Sequence, residues 1–316
     1  MKKLHISVVA VGLLATIPAQ ALTIEFDYTY DTRGFFTDLV TVTPLLERRA
    51  ILDQAASFYN TFTDTLTAIT PQAGDVWSVQ MTHPSLAGAP ITLNNLNIAA
   101  DTLRIYVGGS SSAPGVLGFA DTGYNLIATG SDAFVDSVTT RGQANTTGPA
   151  ATDYAVWGGM IWFNAANDWY FGSDVGGLTV GRPDFLTTAT HEIGHILGFG
   201  EADSWLAQID NGYFTGAASV ASYGSAVPVD QYGSHWAPGV SSTYNGVTQE
   251  TLMDPSTVRG QRELPTVLDY AAFKDIGWQV NVTAVPEPGN FLMLVTGLGL
   301  ISLAARRRHS IKQEQP

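Results

Sequence analysis

The sequence contains no cysteine. That absence excludes disulfide frameworks, thiolate metal sites and cysteine nucleophiles. Charge is sparse as well: 14% of the 316 residues are charged, with 15 basic against 28 acidic, a formal net of −13. So few cations in an acidic chain exclude a nucleic-acid partner held by phosphate neutralisation. The same shortage of charge excludes a coiled coil and a highly charged disordered chain. Histidine is scarce too, with six in all. What remains is plentiful in apolar residues (45%) and glycine (32 residues), in a chain long enough for a substantial hydrophobic core.

Both ends read as addresses. Lys2 and Lys3 precede the apolar run Ile6 to Ile17, and Ala19-Gln20-Ala21 follows. A charged start, a short apolar stretch and small residues at −3 and −1 predict a secretory signal over 1–21; a permanent N-terminal anchor is the alternative. At the other end Val285-Pro286-Glu287-Pro288-Gly289 lies in a linker, 281–290. An apolar segment with an arginine stop, 291–308, and a tail, 309–316, follow it. The run Phe291 to Ala305 is a marginal span, and Arg306-Arg307-Arg308 is a positive-inside stop.

This tripartite terminus resembles the PEP-CTERM sorting signal of Gram-negative bacteria. The resemblance implies an exosortase-type sorting enzyme as partner and cleavage near Pro-Glu-Pro. It also implies a location at the cell surface or in the extracellular matrix, with membrane contact only through the terminal segments. A plain single-span tail anchor is the alternative. Without both ends, residues 22–288 hold nine basic and 27 acidic residues, a net of −18. Four histidines stay: His83, His191, His195 and His235.

Residues 22–280 read as one domain of mixed α and β class. Alternation predicts a strand over 22–30. Leu45, Ile51, Ala55, Phe58 and Tyr59 predict an amphipathic helix from Pro44 to about Thr61. Leu103 to Val107 reads as a strand stopped by Gly108-Gly109-Ser110, and Met160 to Asn164 as another, entered through Gly158-Gly159. Between them a long polar loop carries apolar pieces at 116–119 and 133–138. Leu186, Ala189, Ile193, Ile196 and Leu197 mark the strongest helix, with Asp184 as cap and Gly198 and Gly200 as stops. Residues 200–260 are Gly/Ser-rich with little regular structure, and Tyr270 to Trp278 forms a short closing helix.

The chemistry lies on the strong helix, in His191-Glu192-Ile193-Gly194-His195. Histidines four apart stand one turn apart on the same face, so both imidazoles reach a single ion. Both lie roughly opposite the apolar stripe, which places them in a cleft while the stripe packs inward. Glu192 stands beside them, placed to hold a water and take its proton. This is the H-E-x-x-H arrangement of zinc metalloproteases. A catalytic zinc site takes a third protein ligand. Glu201, ten residues after His191, is one candidate, with Asp203 as a looser version. His235 and His83 are the others.

Further on come Gly233-Ser234-His235, then Glu250-Thr251-Leu252-Met253-Asp254-Pro255, then a closing stretch ending Asp275-Ile276-Gly277-Trp278. In that order these elements resemble leishmanolysin and its bacterial relatives, over roughly residues 185–278. The resemblance implies a metzincin-like zinc protease domain: a small twisted mixed sheet, an active-site helix, a Met-turn and a C-terminal helix. It implies His191, His195 and His235 as ligands of Zn2+, Glu192 as general base and Met253 in the turn. Leishmanolysin is rich in disulfides and this chain has none, so its loops and its cysteine-based latency do not carry over.

The expected activity is therefore that of an exported zinc endopeptidase acting on protein or peptide substrates. The strand 160–164 is expected to be the edge along which an extended substrate aligns. Two other readings are a non-catalytic surface or biofilm-matrix protein stabilised by zinc, and a zinc hydrolase of esters.

Overall fold

The structure is a computed structural model, and it describes residues 21–86 and 88–281. The chain divides into two units at Val280/Asn281, and all of the elements described belong to the first. The signal segment, the Pro-Glu-Pro linker and the apolar tail expected from the sequence lie outside the described residues, apart from Ala21 and Asn281. No helix among the described residues is long and apolar enough to cross a membrane.

Among the described residues the fold is mixed α+β, with small sheets and six helices. In chain order the strands are β1 (Thr23–Asp27), β2 (Thr37–Asp38), β3 (Thr43–Pro44), β4 (Val76–Thr82), β5 (Pro90–Asn94), β6 (Thr102–Ser110) and β7 (Gly118–Asp121). Then follow β8 (Tyr124–Thr129), β9 (Gly158–Asn164), β10 (Ile209–Asp210), β11 (Tyr213–Phe214), β12 (Val227–Pro228), β13 (Ser241–Tyr244) and β14 (Val247–Glu250). The helices are α1 (Leu46–Ser57), α2 (Asp132–Thr139), α3 (Phe185–Ile196), α4 (Asp203–Leu206), α5 (Ala217–Tyr223) and α6 (Val267–Asp275).

The main sheet runs β1-β6-β9-β7, parallel except for β7, which pairs antiparallel with β9 through Gly118↔Phe163 to Asp121↔Met160. Strand β9 therefore lies inside the sheet, and the expectation that it forms the substrate-aligning edge is wrong. Its apolar run Met160-Ile161-Trp162-Phe163 suits a strand covered on both faces, which is what an interior strand requires. The edge strands of this sheet are β1 and β7.

Glycines mislead at one further point. Strand β6 does not stop at Gly108-Gly109 but runs through them to Ser110. A Cβ at Gly109 would lie 2.7 Å from the Phe163 carbonyl oxygen and 2.7 Å from the Phe35 ring. These glycines admit close neighbours rather than end the strand.

Against the sheet packs α3, buried along its whole length. Phe35, Phe163 and Phe185 join around its first turn, with Phe163–Phe185 ring centroids 4.7 Å apart and Phe35–Phe163 stacked at 5.6 Å. On another side α1 lies against it, and the Tyr59 hydroxyl just beyond α1 donates to the Thr190 carbonyl at 2.7 Å. The amphipathic pattern expected of α3 is thus exceeded, because every side of the helix meets protein.

A second, antiparallel sheet, β5-β4-β8, has no counterpart in the sequence reading. Its central strand alternates buried Trp77, Val79 and Met81 with partly exposed residues. The supposed loop between β6 and β9 holds β7, β8 and α2. Arg141 is fully buried there and donates to the carbonyls of Thr67, Ala99, Thr102 and Val156, which satisfies its guanidinium without a paired carboxylate.

Candidate metal centre

Helix α3 begins as its sequence predicts. The Asp184 side chain accepts from the Thr187 amide at 3.2 Å, a regular N-cap. It ends at Gly198, whose φ is +93°, with Gly198 N donating to His195 O (2.8 Å) and Phe199 N to Gly194 O (3.1 Å). This pairing is a Schellman motif, and it turns the chain back on itself. The turn has a chemical result: the Phe199 carbonyl is brought to 2.9 Å from His195 Nδ1.

His191 Nδ1 likewise faces the Leu252 carbonyl at 2.8 Å. Carbonyl oxygens only accept, so Nδ1 of each ring carries the proton and Nε2 presents a lone pair. His235 Nδ1 faces Asp230 Oδ2 at 3.3 Å and Ser234 Oγ at 3.1 Å, which orients that ring the same way. The three Nε2 atoms converge: His195 to His191 is 3.0 Å and His195 to His235 is 3.1 Å. Burial lowers the affinity of all three imidazoles for a proton, with His195 brought down to about 4. Neutral rings with lone pairs about 3 Å apart repel one another unless a cation lies between them. The donor set therefore fits a metal ion, held by His191, His195 and His235.

The loop bearing His235 is built by Asp230, whose Oδ1 accepts from the amides of Tyr232 (3.2 Å) and Ser234 (3.0 Å). Trp236 anchors it in a cluster with Phe199, Trp205 and Phe214, at ring distances of 5.1 to 5.6 Å. Gly200, φ +81°, lets it approach the end of α3, since a Cβ there would strike the Ser234 carbonyl. Two glycines after His195 thus have separate tasks, one turning the chain and one admitting the third ligand.

Met253 is fully buried and packs on Gly194, which stands between the two helical histidines in sequence. A Cβ at Gly194 would come within 2.7 Å of the Met253 sulfur. The Met253 carbonyl accepts from Trp236 N at 3.0 Å. Asp269, inside α6, ties these segments together. It accepts from Leu252 N (3.0 Å), Met253 N (3.3 Å), Trp236 Nε1 (3.1 Å), and Thr266 N (2.7 Å) and Oγ1 (2.8 Å). One buried carboxylate therefore holds the carbonyl that orients His191 and the tryptophan that anchors the His235 loop. The sequence reading missed it, although Thr266 and Asp269 at i, i+3 are the signature of a capping box.

Glu192 is 6% exposed, lines the cleft over the three histidines, and makes no side-chain hydrogen bond among the described residues. Burial first, and then the Glu201 carboxylate, push it up to about 8. Gly118 on β7 leaves the room it needs, because a Cβ there would lie 2.6 Å from Glu192 Oε1. That glycine was also missed, hidden in a short apolar piece of the supposed loop.

The other ligand candidates stand elsewhere. Glu201 lines the same cleft but is not among the converging groups. Its side chain is exposed in area, yet crowding of the carboxyl by the cleft walls, with Asp121, pushes it up to about 7. Asp203 opens α4 and accepts from Gly148 N at 2.5 Å. His83 is buried against Tyr30, with Nδ1 accepting from Ser85 N at 3.0 Å.

The cleft has β7 as one wall and the segment after Met253 as the other. That second wall is tied to the start of α3 by Arg262, which binds both Asp184 oxygens at 2.8 Å and the carbonyls of Gly172 and Ser173. Compared with known proteins, the chain matches no family model and no curated sequence.

Proposed function

We propose that the protein is an exported zinc-dependent endopeptidase with a metzincin-like catalytic domain of the leishmanolysin type. The observation that carries this reading is the convergence of three neutral Nε2 donors beside a carboxylate, Glu192, that accepts no hydrogen bond from any described residue. A purely structural metal site closes with a fourth protein ligand and needs no adjacent base. The order of the parts supports the same reading: the H-E-x-x-H helix, the downstream histidine, Met253 packed on Gly194, and α6 behind.

Zinc, when bound, supplies Lewis-acid polarisation of the scissile carbonyl and acidification of a water. His191, His195 and His235 hold it. Glu192 takes the proton from the attacking water and returns it to the leaving amine, a task its place in the cleft over the three histidines suits. The free edge of β7 aligns an extended peptide by backbone hydrogen bonds, in place of the interior β9. The terminal segments supply the setting: export, then sorting at the cell surface through the Pro-Glu-Pro tail.

The test is cleavage of an unfolded protein by the purified chain, compared with Glu192→Ala at equal zinc content. Loss of the base lowers the rate by about 10²- to 10⁴-fold. Wild-type protein that holds zinc and cuts neither proteins nor peptides overturns the proposal.

A further inference from the structure

The cleft above the histidines is lined by both Glu201 and Arg259, and neither forms an ion pair among the described residues. Glu201 makes no side-chain hydrogen bond or ion pair among the described residues. The charged groups acting with it are themselves acidic: Asp121, which closes β7, and Glu192. Asp121 in turn has only neutral donors, Gly123 N at 2.7 Å and Thr82 at 3.4 to 3.5 Å. Glu192 and Glu201 line the open cleft with Asp254 on the wall after Met253, and none of them forms an ion pair among the described residues.

Arg259 also lines the cleft, and it donates only to neutral acceptors: Asn167 Oδ1 at 2.8 Å and the Gly181 carbonyl at 3.4 Å. Its position along β7 follows from a hydrogen-bond relay. Asn167 Nδ2 donates to the Asn164 carbonyl (3.3 Å), and Asn164 Nδ2 to the Val116 carbonyl (2.9 Å). Arg259 is thereby joined to the residues that lead into β7, whereas Asp121 and Glu201 stand where the strand ends. Four residues of strand separate the two by roughly 10 Å.

A peptide laid antiparallel on the free edge of β7, the more stable pairing per residue, sets its N-terminal half against Asp121 and its C-terminal half against Arg259. We propose that the cleft selects peptides by charge order. Lys or Arg on the N-terminal side of the scissile bond is taken by Glu201, and Asp or Glu on the C-terminal side is taken by Arg259. This deepens the peptidase reading and rests on it. The incoming cation relieves the mutual repulsion of the carboxylates, and charge-assisted hydrogen bonds in a half-enclosed cleft are the stronger kind.

The experiment uses two peptides of identical composition, one basic then acidic across the cleaved bond and one in the reverse order. Wild-type kcat/KM favours the first by about tenfold. The ratio, which cancels any general loss of activity, falls toward one in the Glu201→Gln/Arg259→Gln double variant. Fluorescence anisotropy on the Glu192→Ala chain reads binding without turnover and gives the same order. Cleavage with equal or reversed preference, or equal binding, overturns the inference and leaves the peptidase reading standing. Failure to cut any peptide overturns the peptidase reading, and this inference with it.

Discussion

The two histidines on α3 and the one on the 230–236 loop are brought to one point by different means. His191 and His195 ride on a helix buried on every side, and backbone carbonyls orient their rings. His235 sits on a loop, its ring half-buried and oriented by a side-chain carboxylate, Asp230. A backbone carbonyl is fixed by the fold, whereas a carboxylate adds charge and is removable by one substitution. The helix pair is therefore the rigid half of the site and the loop histidine the adjustable half.

Removing a ligand from either half has the largest expected effect. His195→Ala and His235→Ala each weaken zinc binding by more than about a hundredfold, exceeding the usual effect of an outer-shell group. Glu201→Ala leaves affinity within about threefold. Competition against a chromophoric chelator measures all three, and equal losses for Glu201→Ala and His235→Ala would remove His235 as third ligand.

The next largest effect joins the halves instead of separating them. Asp269→Ala strips the acceptor from Leu252 N, Met253 N, Trp236 Nε1 and Thr266, and destabilises the fold by about 3–5 kcal/mol. Urea unfolding reads the loss. A change below about 1 kcal/mol would mean that the two halves are held independently.

Asp230→Asn sharpens the contrast at lower cost. It keeps an acceptor for the amides of Tyr232 and Ser234 but removes the charge facing His235 Nδ1, so zinc affinity falls by about tenfold to a hundredfold. Stability without metal changes little. The same titration checks it, with circular dichroism to show that the loop variant remains folded.

The smallest effect belongs to the helix side and depends on pH. Glu263 is pushed up from 4.5 to about 7 by burial, Glu250 and Asp254, and its amide is bonded to Thr187 Oγ1 on α3. The native carboxyl binds its proton more tightly than the unfolded chain does. Its contribution to stability is complete below about pH 4.5 and is lost as pH rises through about 7. Glu263→Gln removes that dependence, raising stability at pH 8 relative to pH 4.5 by on the order of 2 kcal/mol. Urea midpoints at the two pH values test it, and an unchanged difference would place the titration elsewhere.

Much of this was legible before any coordinates. The spacing of His191 and His195, the Asp184 cap and the Gly198 stop are short-range features, and α3 has the ends they predict. Helix α1 also falls inside its predicted range, trimmed at both ends. Nothing between Thr61 and Leu103 is assigned from the sequence, although Trp77, Val79 and Met81 alternate there and form the buried side of the second sheet's central strand. The edge strand was misassigned because nothing local distinguishes β9 inside a sheet from β9 at its margin. Only the pairing with β7 decides that.

The sequence by itself determined the helix, the pair of imidazoles on one face of it and the neighbouring glutamate, since these depend on residues within a few turns of one another. The tertiary structure alone decided how a histidine 40 residues downstream completes the set. That placement needs Gly200 to admit Ser234, Trp236 to seat among Phe199, Trp205 and Phe214, and Asp269 to bind both the tryptophan and the turn at Met253. Those contacts join segments far apart in the chain, and only packing that excludes water brings them together.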